Sequence, residues 1–326
     1  MSGPLSEDDL IARFFAPLAA PEGFGLKDDV ARLAPRAGEE LALKADAIVA
    51  GVHFFPDDPP DAIARKALRV NLSDLAAKGA RPIGFLLTLA LPTNWTVDWL
   101  ERFAQGLGDD ASFYQCPLFG GDTVGTPGPL TVAITVFGAV RAGRIPTRMD
   151  ARPGDRLYVT GTIGDAALGL RLRLGRLSGL DGEKAEFLRG RYLLPEPRCV
   201  FAPTIERYAN AAMDVSDGFV GDLTKMLRVS GVGAEIDLRL LPLSSAARAA
   251  LAADPGLFET VATGGDDYEL IAAVAPASCK AFEAAAAAAG VAVTTVGEVT
   301  ERGGGARWLG RDGKPVAFAK GSFSHF

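Results

Sequence analysis

The residues of this chain best placed to do chemistry are aspartates standing where a carboxylate is costly. Asp28-Asp29 end a glycine-containing loop at 23–29, and Asp46 lies inside the apolar run Leu41-Ala42-Leu43-Lys44-Ala45-Asp46-Ala47-Ile48-Val49. Asp74 falls in a helical pattern, Asp122 follows Gly120-Gly121, Asp214 and Asp217 flank Val215-Ser216, and Asp266-Asp267 follow Gly264-Gly265. A carboxylate taken from water without a partner is expensive, so each position needs an N–H group, a basic side chain or a bound cation. Only two histidines are present, His53 and His325, so no histidine-rich zinc or iron centre can be assembled. Oxygen donors with so little histidine suit a hard cation, Mg²⁺, used together with substrate phosphates rather than in an all-protein cage. Asp28 and Asp29 are adjacent and point in different directions, so one of the two is expected to bind metal.

Each signal also has an ordinary explanation. The ordinary reading of Asp46 is an edge-strand residue facing water. At 100° per residue, Asn71, Asp74 and Lys78 fall on one arc beside the apolar stripe Leu68, Leu72 and Leu75, as they would on any amphipathic surface helix. Gly120-Gly121-Asp122-Thr123 reads as a strand entering a tight turn. In Met213-Asp214-Val215-Ser216-Asp217-Gly218, Asp214 and Ser216 share a strand face, while Ser216 or Asp217 could simply cap the helix that follows.

The elements that would position these residues alternate. A helix is expected over 6–18 with Ser6 as N-cap, a strand over 40–55, a helix opened by Asp61 and closing at Gly79, a strand over 83–91, a helix over 96–106 and a strand over 130–140. Residues 141–154 carry glycine, two prolines and four arginines with few apolar residues, which sets a boundary between domains 1–148 and 149–326. The second half restarts with a strand at 156–160 and a glycine-rich turn at 161–165. It continues with a helix to about residue 174, a helix after Gly218, strands near Val261 and over 268–274, and an alanine-rich helix ending at Gly290. The fold class expected is α/β (α+β) in two domains, in keeping with 326 residues that are 48% hydrophobic.

Composition excludes several classes of function. A net charge of −6 argues against a dedicated nucleic-acid binder. The acidic start Ser6-Glu7-Asp8-Asp9 is unlike a signal peptide, and the longest apolar run, 83–91, is about half a membrane span, so no membrane partner is expected. Cys116, Cys199 and Cys279 are far apart with no CxxC pair, which points to a reducing cytoplasm. GxxxxGK[ST], GxGxxG after a strand and GxSxG are all absent.

Taken in order, these blocks resemble the thiamine-monophosphate kinase family, of the superfamily that also holds aminoimidazole ribonucleotide synthetase, selenophosphate synthetase and a hydrogenase-maturation protein. The carriers are Gly25-Leu26-Lys27-Asp28-Asp29, Asp46 with Gly51-Val52-His53-Phe54, and Asn71-Leu72-Ser73-Asp74-Leu75-Ala76-Ala77-Lys78-Gly79. They continue with Gly120-Gly121-Asp122-Thr123, Asp214-Val215-Ser216-Asp217-Gly218, Gly264-Gly265-Asp266-Asp267-Tyr268-Glu269-Leu270 and the tail Ser322-Phe323-Ser324-His325-Phe326. The resemblance implies an aminoimidazole ribonucleotide synthetase-like fold, with the N-terminal sheet pairing with its twin in a homodimer and ATP with several Mg²⁺ ions in a cleft between the domains. Carried over by position, Asp29, Asp46, Asp74, Asp122, Asp214 and Asp217 are implied metal ligands. Gly121, Asp122, Arg148 and Ser216 are implied ATP contacts, and His53, Asp266 and Phe323 implied contacts of thiamine monophosphate. This chain departs from the family at Lys27, often glycine, at Lys44-Ala45, usually Ser-Thr, and at Asp266, usually glutamate.

The reaction implied is transfer of phosphate from ATP to thiamine monophosphate, in line and without a phosphoenzyme. A phosphate monoester has its second pKa near 6, so the acceptor oxygen is already anionic and no catalytic acid or base is expected. The competing readings are another ATP-dependent synthetase of the superfamily and a non-catalytic Mg-nucleotide sensor. A selenophosphate synthetase would carry a reactive cysteine near its start and the hydrogenase-maturation protein a C-terminal one, whereas here the first cysteine is Cys116 and the last residue is Phe326.

Overall fold

The computed structural model describes residues 6–301, 305–310, 312–318 and 321. It divides into two units, 1–75 with 81–143, and 76–80 with 144–326. The first contains α1 (Glu7–Leu10), β1 (Glu39–Val49), α2 (Pro60–Ala77, whose last two residues group with the second unit), β2 (Arg81–Pro92), α3 (Val97–Phe113), β3 (Leu118–Thr126) and β4 (Thr131–Arg141). Its strands form one sheet in the order β1-β4-β2-β3, antiparallel except for the β2–β3 pair.

Register shows how this sheet divides its two faces. Phe85, Leu87 and Leu89 of β2 lie opposite Val136, Ile134 and Val132 of β4, and all six are buried. Ile63, Leu68, Leu72 and Leu75 of α2 and Leu100, Phe103 and Leu107 of α3 are buried as well, as amphipathic helices laid on a sheet require. The alternate residues Ala133, Thr135 and Phe137 of β4 are only half-buried, and Thr88 of β2 is exposed. One face is a core and the other is largely uncovered.

The second unit contains β5 (Arg156–Thr160), α4 (Asp165–Arg173), α5 (Gly182–Leu193), α6 (Ala202–Tyr208), β6 (Ala209–Asp214), α7 (Phe219–Ser230), β7 (Gly233–Asp237), α8 (Ser245–Ala253), α9 (Phe258–Thr263), β8 (Leu270–Val274), α10 (Cys279–Ala288), β9 (Val293–Thr300), β10 (Ala306–Leu309) and β11 (Pro315–Val316). Among the described residues its strands form a seven-stranded sheet, β11-β10-β7-β9-β5-β8-β6. Apolar residues occupy both phases of the inner strands. Leu157, Val159, Ile271 and Ala273 join one buried cluster, while Tyr158, Leu270, Ala272 and Val274 join another. A strand buried on both faces reads as a continuous apolar run, and β8 is buried along its whole length.

Several local expectations change. The opening helix is α-helical only over Glu7–Leu10, with a capping box between Ser6 and Asp9, and passes into π and 3-10 turns up to Leu18. Helix α2 begins at Pro60, so Asp61 lies in its first turn rather than opening it. Helix α3 runs past Gly106 to Phe113, because buried Leu107 and Ala111 extend its apolar face beyond the glycine. The segment around Val261 is helix α9, not a strand. Gly120-Gly121-Asp122 is not a turn but the middle of β3. Glycine is required there by a close approach: a Cβ on Gly121 would stand 1.8 Å from the Leu87 carbonyl oxygen. Gly121→Ala should therefore force β3 away from β2, destabilising the fold by about 1–3 kcal/mol. Thermal melting would show this as a fall of several degrees, and an unchanged Tm would contradict the register.

Candidate functional site

In the first unit, β1 carries its polar residues toward the helices. Lys44, Asp46 and Ile48 lie opposite Val136, Ile134 and Val132, so they share the covered face. Leu43, Ala45 and Ala47 fall on the uncovered face, and Leu43 is 63% exposed. Asp46 is on an edge strand, yet its side chain is engaged. Lys44 Nζ lies 3.1 Å from Asp46 Oδ2 and 2.9 Å from Asp74 Oδ2. The Asp46 amide donates to Asn71 Oδ1 at 2.9 Å, and Asn71, fully buried, donates in turn to the Ala67 carbonyl. Two of the three residues on the expected polar arc, Asn71 and Asp74, therefore tie α2 to β1. The third, Lys78, donates to the carbonyls of Ala212 and Pro146 within the second unit.

The electrostatics follow from one ammonium serving two carboxylates. Burial works against the charge on Lys44, but Asp74 and Asp46 outweigh it and raise its pKa. For Asp46 burial prevails and raises its pKa, with repulsion from Asp74 adding to it, although Lys44 pulls it down.

The other positions of this unit lie apart from that triad. Asp122 is in register with Thr88, on the uncovered face. Asp29 is exposed in a bend after a 3-10 segment, beside exposed Lys27. His53 follows β1 in a turn where its Nδ1 accepts from the Val49 amide at 3.0 Å, leaving Nε2 as the ring's donor. Its carbonyl accepts from Lys66 Nζ at 3.0 Å, and Lys66 is only 1% exposed.

In the second unit, two segments run side by side. The Val215 amide donates to the Glu269 carbonyl, the Tyr268 amide to the Val215 carbonyl and the Asp266 amide to the Ser216 carbonyl, at 2.8–2.9 Å. Gly265 makes this approach possible, since a Cβ there would meet the Ser216 carbonyl at 2.3 Å. Asp266 and Tyr268 both adopt positive φ, 72° and 52°. Non-glycine residues rarely do so, and such strain is found at functional sites. Asp214 is the last residue of β6 and is buried. Neither Ser216 nor Asp217 caps α7: the N-cap is Gly218, which lacks a side chain. The amides of Ser216 and Asp217 instead donate to Asp222 Oδ2 at 3.0 and 2.8 Å, and Lys225 joins Asp222 to Asp217. Burial raises the Asp222 pKa against the pull of Lys225. Arg148 lies in a half-buried turn whose carbonyl accepts from Ser230 Oγ. Phe323 lies outside the described residues.

Sequence reasoning missed the supports. Glu269 has no exposed surface and is bound by Arg191 at 3.0 Å, by Arg198 Nε at 2.7 Å and by Thr160 Oγ1 at 2.7 Å. Asp267 accepts from the Gly164 and Ala166 amides at the start of α4, and burial pushes its pKa well above the ordinary carboxylate value. Asp222 lies five residues beyond Asp217, on the first turn of the next helix, and that spacing was the available clue.

The donor chemistry can be weighed against magnesium directly. Asp29, Asp122 and Asp214 offer the carboxylate oxygens that Mg²⁺ prefers, while Asp217 has one oxygen, Oδ2, already held by Lys225 Nζ at 2.5 Å. Among the described residues, no three His, Cys, Asp or Glu side chains stand together as a ready-made metal cluster, so partial protein ligation completed by substrate phosphates is the mode these donors fit. The gap between Asp46 and Asp74 does not fit a divalent ion as arranged, because an ammonium fills it.

Comparison with known proteins gives consistent relatives. Residues 27–140 match the family model of the AIR synthase related protein N-terminal domain, and residues 152–309 that of the C-terminal domain. A thiamine-monophosphate kinase of Caulobacter vibrioides is 45% identical over 320 residues, 96% of this chain and 90% of the relative. The crystal structure of thiamine-monophosphate kinase from Stenotrophomonas maltophilia K279a superposes with a TM-score of 0.80 at 38% identity, over 89% of this chain and 91% of that one. A structure described as AaThiL complexed with AMPPCP and TMP superposes with a TM-score of 0.78 at 31% identity, over 100% and 99%. Among the described residues, no helix is long and apolar enough to cross a membrane.

Two substitutions test the supports. Glu269→Gln leaves two guanidinium groups without their buried counter-charge and should cost about 3–5 kcal/mol in denaturant unfolding; a change within error would show that the cluster is dispensable. Asp222→Ala removes the acceptor of two amides, at about 1–3 kcal/mol, and should speed hydrogen exchange at Ser216 and Asp217. Unchanged protection there would contradict the geometry.

Proposed function

The chain belongs to the thiamine-monophosphate kinase family, and from that premise we propose that it transfers the γ-phosphoryl group of ATP to thiamine monophosphate, giving thiamine diphosphate and ADP. The observation that carries this reading is the full-length likeness to AaThiL, whose bound AMPPCP and TMP we read as an ATP analogue and the acceptor.

The chemistry asks little of the protein as an acid or base. The acceptor phosphate is largely dianionic at neutral pH, so no side chain must take a proton from it. The obstacle is repulsion between two polyanions, about 1 kcal/mol per pair of unit charges 4 Å apart in water and roughly 4 kcal/mol at an effective dielectric of 20. Magnesium, held by Asp29, Asp122, Asp214 and Asp217, would supply the neutralisation and alignment that in-line transfer needs. Asp46 and Asp74 already share the Lys44 ammonium.

Other residues bind and orient. Gly121, exposed in β3, would meet the nucleotide through its backbone. Ser216 has its amide committed to Asp222, which leaves its hydroxyl for the nucleotide, and Arg148 adds a positive charge. On the acceptor side, His53 lies in the turn after β1, Asp266 is held in its strained turn, and Phe323 would stack on the acceptor's aromatic or thiazolium ring.

We further propose a homodimer formed through the uncovered sheet face, where Leu43 is 63% exposed and Ala45 and Ala47 are exposed beside it. A cytoplasmic location is supported by Cys116, Cys199 and Cys279 standing as reduced cysteines rather than in disulfides. Light scattering should give twice the chain mass for the native protein and the single-chain mass for Leu43→Glu; an unchanged dimer in that variant would remove the assigned face.

In a coupled assay, ADP should form with thiamine monophosphate and not with thiamine or aminoimidazole ribonucleotide precursors. Nucleotide binding without turnover, or turnover with the other acceptors, would overturn the proposal. Asp122→Asn should lower kcat/KM roughly a hundredfold, about 2.7 kcal/mol of transition-state stabilisation. Incubation with γ-labelled ATP alone should leave the protein unlabelled.

A further inference from the structure

We infer that Lys44 is the resident counter-cation of the Asp46–Asp74 pair, so that while Lys44 is present this pair holds an ammonium group and takes no divalent ion. The inference rests on the magnesium-dependent kinase reading above and deepens it. Lys44 and Asp46 are two residues apart on β1, so the alternation of a strand puts both side chains on the same face, toward α2. Asp74 meets them from the helix. The spacing between strand and helix is fixed by the bond from the Asp46 amide to Asn71 Oδ1, whose own amide is tied back to the Ala67 carbonyl. Within that fixed gap, Lys44 Nζ contacts both carboxylates, at 3.1 and 2.9 Å.

A magnesium ion bridging the two carboxylates would need their oxygens at about 2.0–2.1 Å and several further oxygen ligands around it. It would have to occupy the space of the ammonium nitrogen, against a like charge. Lys44 and a divalent ion are therefore alternatives. Most of the Lys44 side-chain surface is covered, its exposure being 32%, so the ammonium is a packed part of the site and not a freely solvated group lying over it.

Lys225 looks similar but serves a different end. It likewise bridges two carboxylates, Asp217 at 2.5 Å and Asp222 at 3.0 Å, but Asp222 is also held at Oδ2 by the amides of Ser216 and Asp217, so that lysine completes a turn, whereas Asp46 and Asp74 have a side-chain gap in which the cation itself is the content. The consequence is a site in which one positive charge is supplied by the chain. It is present before nucleotide arrives and reduces by one the divalent ions this protein binds.

The test counts ions rather than turnover. Mn²⁺ would be titrated into the full-length protein, with and without the ATP analogue AMPPCP, and the free ion followed by electron paramagnetic resonance. Lys44→Thr should bind one more Mn²⁺ per chain than the native protein, and Lys44→Thr with Asp74→Asn should return to the native count. Equal counts for the native protein and Lys44→Thr would overturn the inference. Should Lys44→Thr fail to fold, Lys44→Met, which keeps the stem length and lacks the charge, decides in the same way. The coupled ADP assay on the native protein is independent of this count. Loss of the kinase reading there, with an extra Mn²⁺ in the variant, would sink the function and leave the assignment of Lys44 standing; a working kinase with equal counts would do the reverse.

Discussion

Carboxylates held where water reaches them only in part must be compensated, and the way each is compensated organises both units. Asp46 and Asp74 share Lys44; Asp222 gathers two amides and Lys225; Asp267 takes amides at the start of α4; Glu269 takes two arginines and a threonine hydroxyl. Buried pairs of this kind add little net stability, because desolvation offsets attraction. Their contribution is geometric. Each fixes a turn or an element end that a purely apolar contact would leave free to slide.

The same constraint explains the glycines that matter. The approach of Ser216 to Gly265, and of Leu87 to Gly121, brings backbones closer than any side chain permits. Acids follow both glycines: Asp122 after Gly121, and Asp266-Asp267 after Gly265. Helix N-termini and sheet edges then do what they ordinarily do. A carboxylate at the start of α4 meets amide dipoles, and an edge strand turns its charges toward a helix and its apolar residues toward an uncovered face.

Much of this was legible in the chain itself. The apolar alternation of β4, the helix ending near Gly79, the strand opening at 156 and the acidic blocks all follow from local pattern, and the ordered motifs pointed to the family. What the pattern could not reveal was decided by partners far away in sequence. Gly120-Gly121 reads as a turn because glycine usually marks one; only the carbonyl of Leu87 across the sheet shows that it is strand. Gly106 reads as a helix end until the buried positions beyond it are known. Lys44-Ala45 reads as the loss of two hydroxyls, and the role of Lys44 appears only when Asp74, thirty positions on, is placed against it. Glu269 stood inside a motif but carried no role, since burial and not spacing makes it a support.

Transfer of a phosphoryl group between two anions, made possible by cations rather than by a proton acceptor, is the central claim. Phosphorus NMR of the native protein with ATP and thiamine monophosphate follows it directly. The account predicts that the two phosphorus resonances of thiamine diphosphate grow in step with ADP when Mg²⁺ is supplied and do not grow when a chelator removes it. Release of inorganic phosphate in place of thiamine diphosphate, or equal transfer in the presence of the chelator, would contradict it.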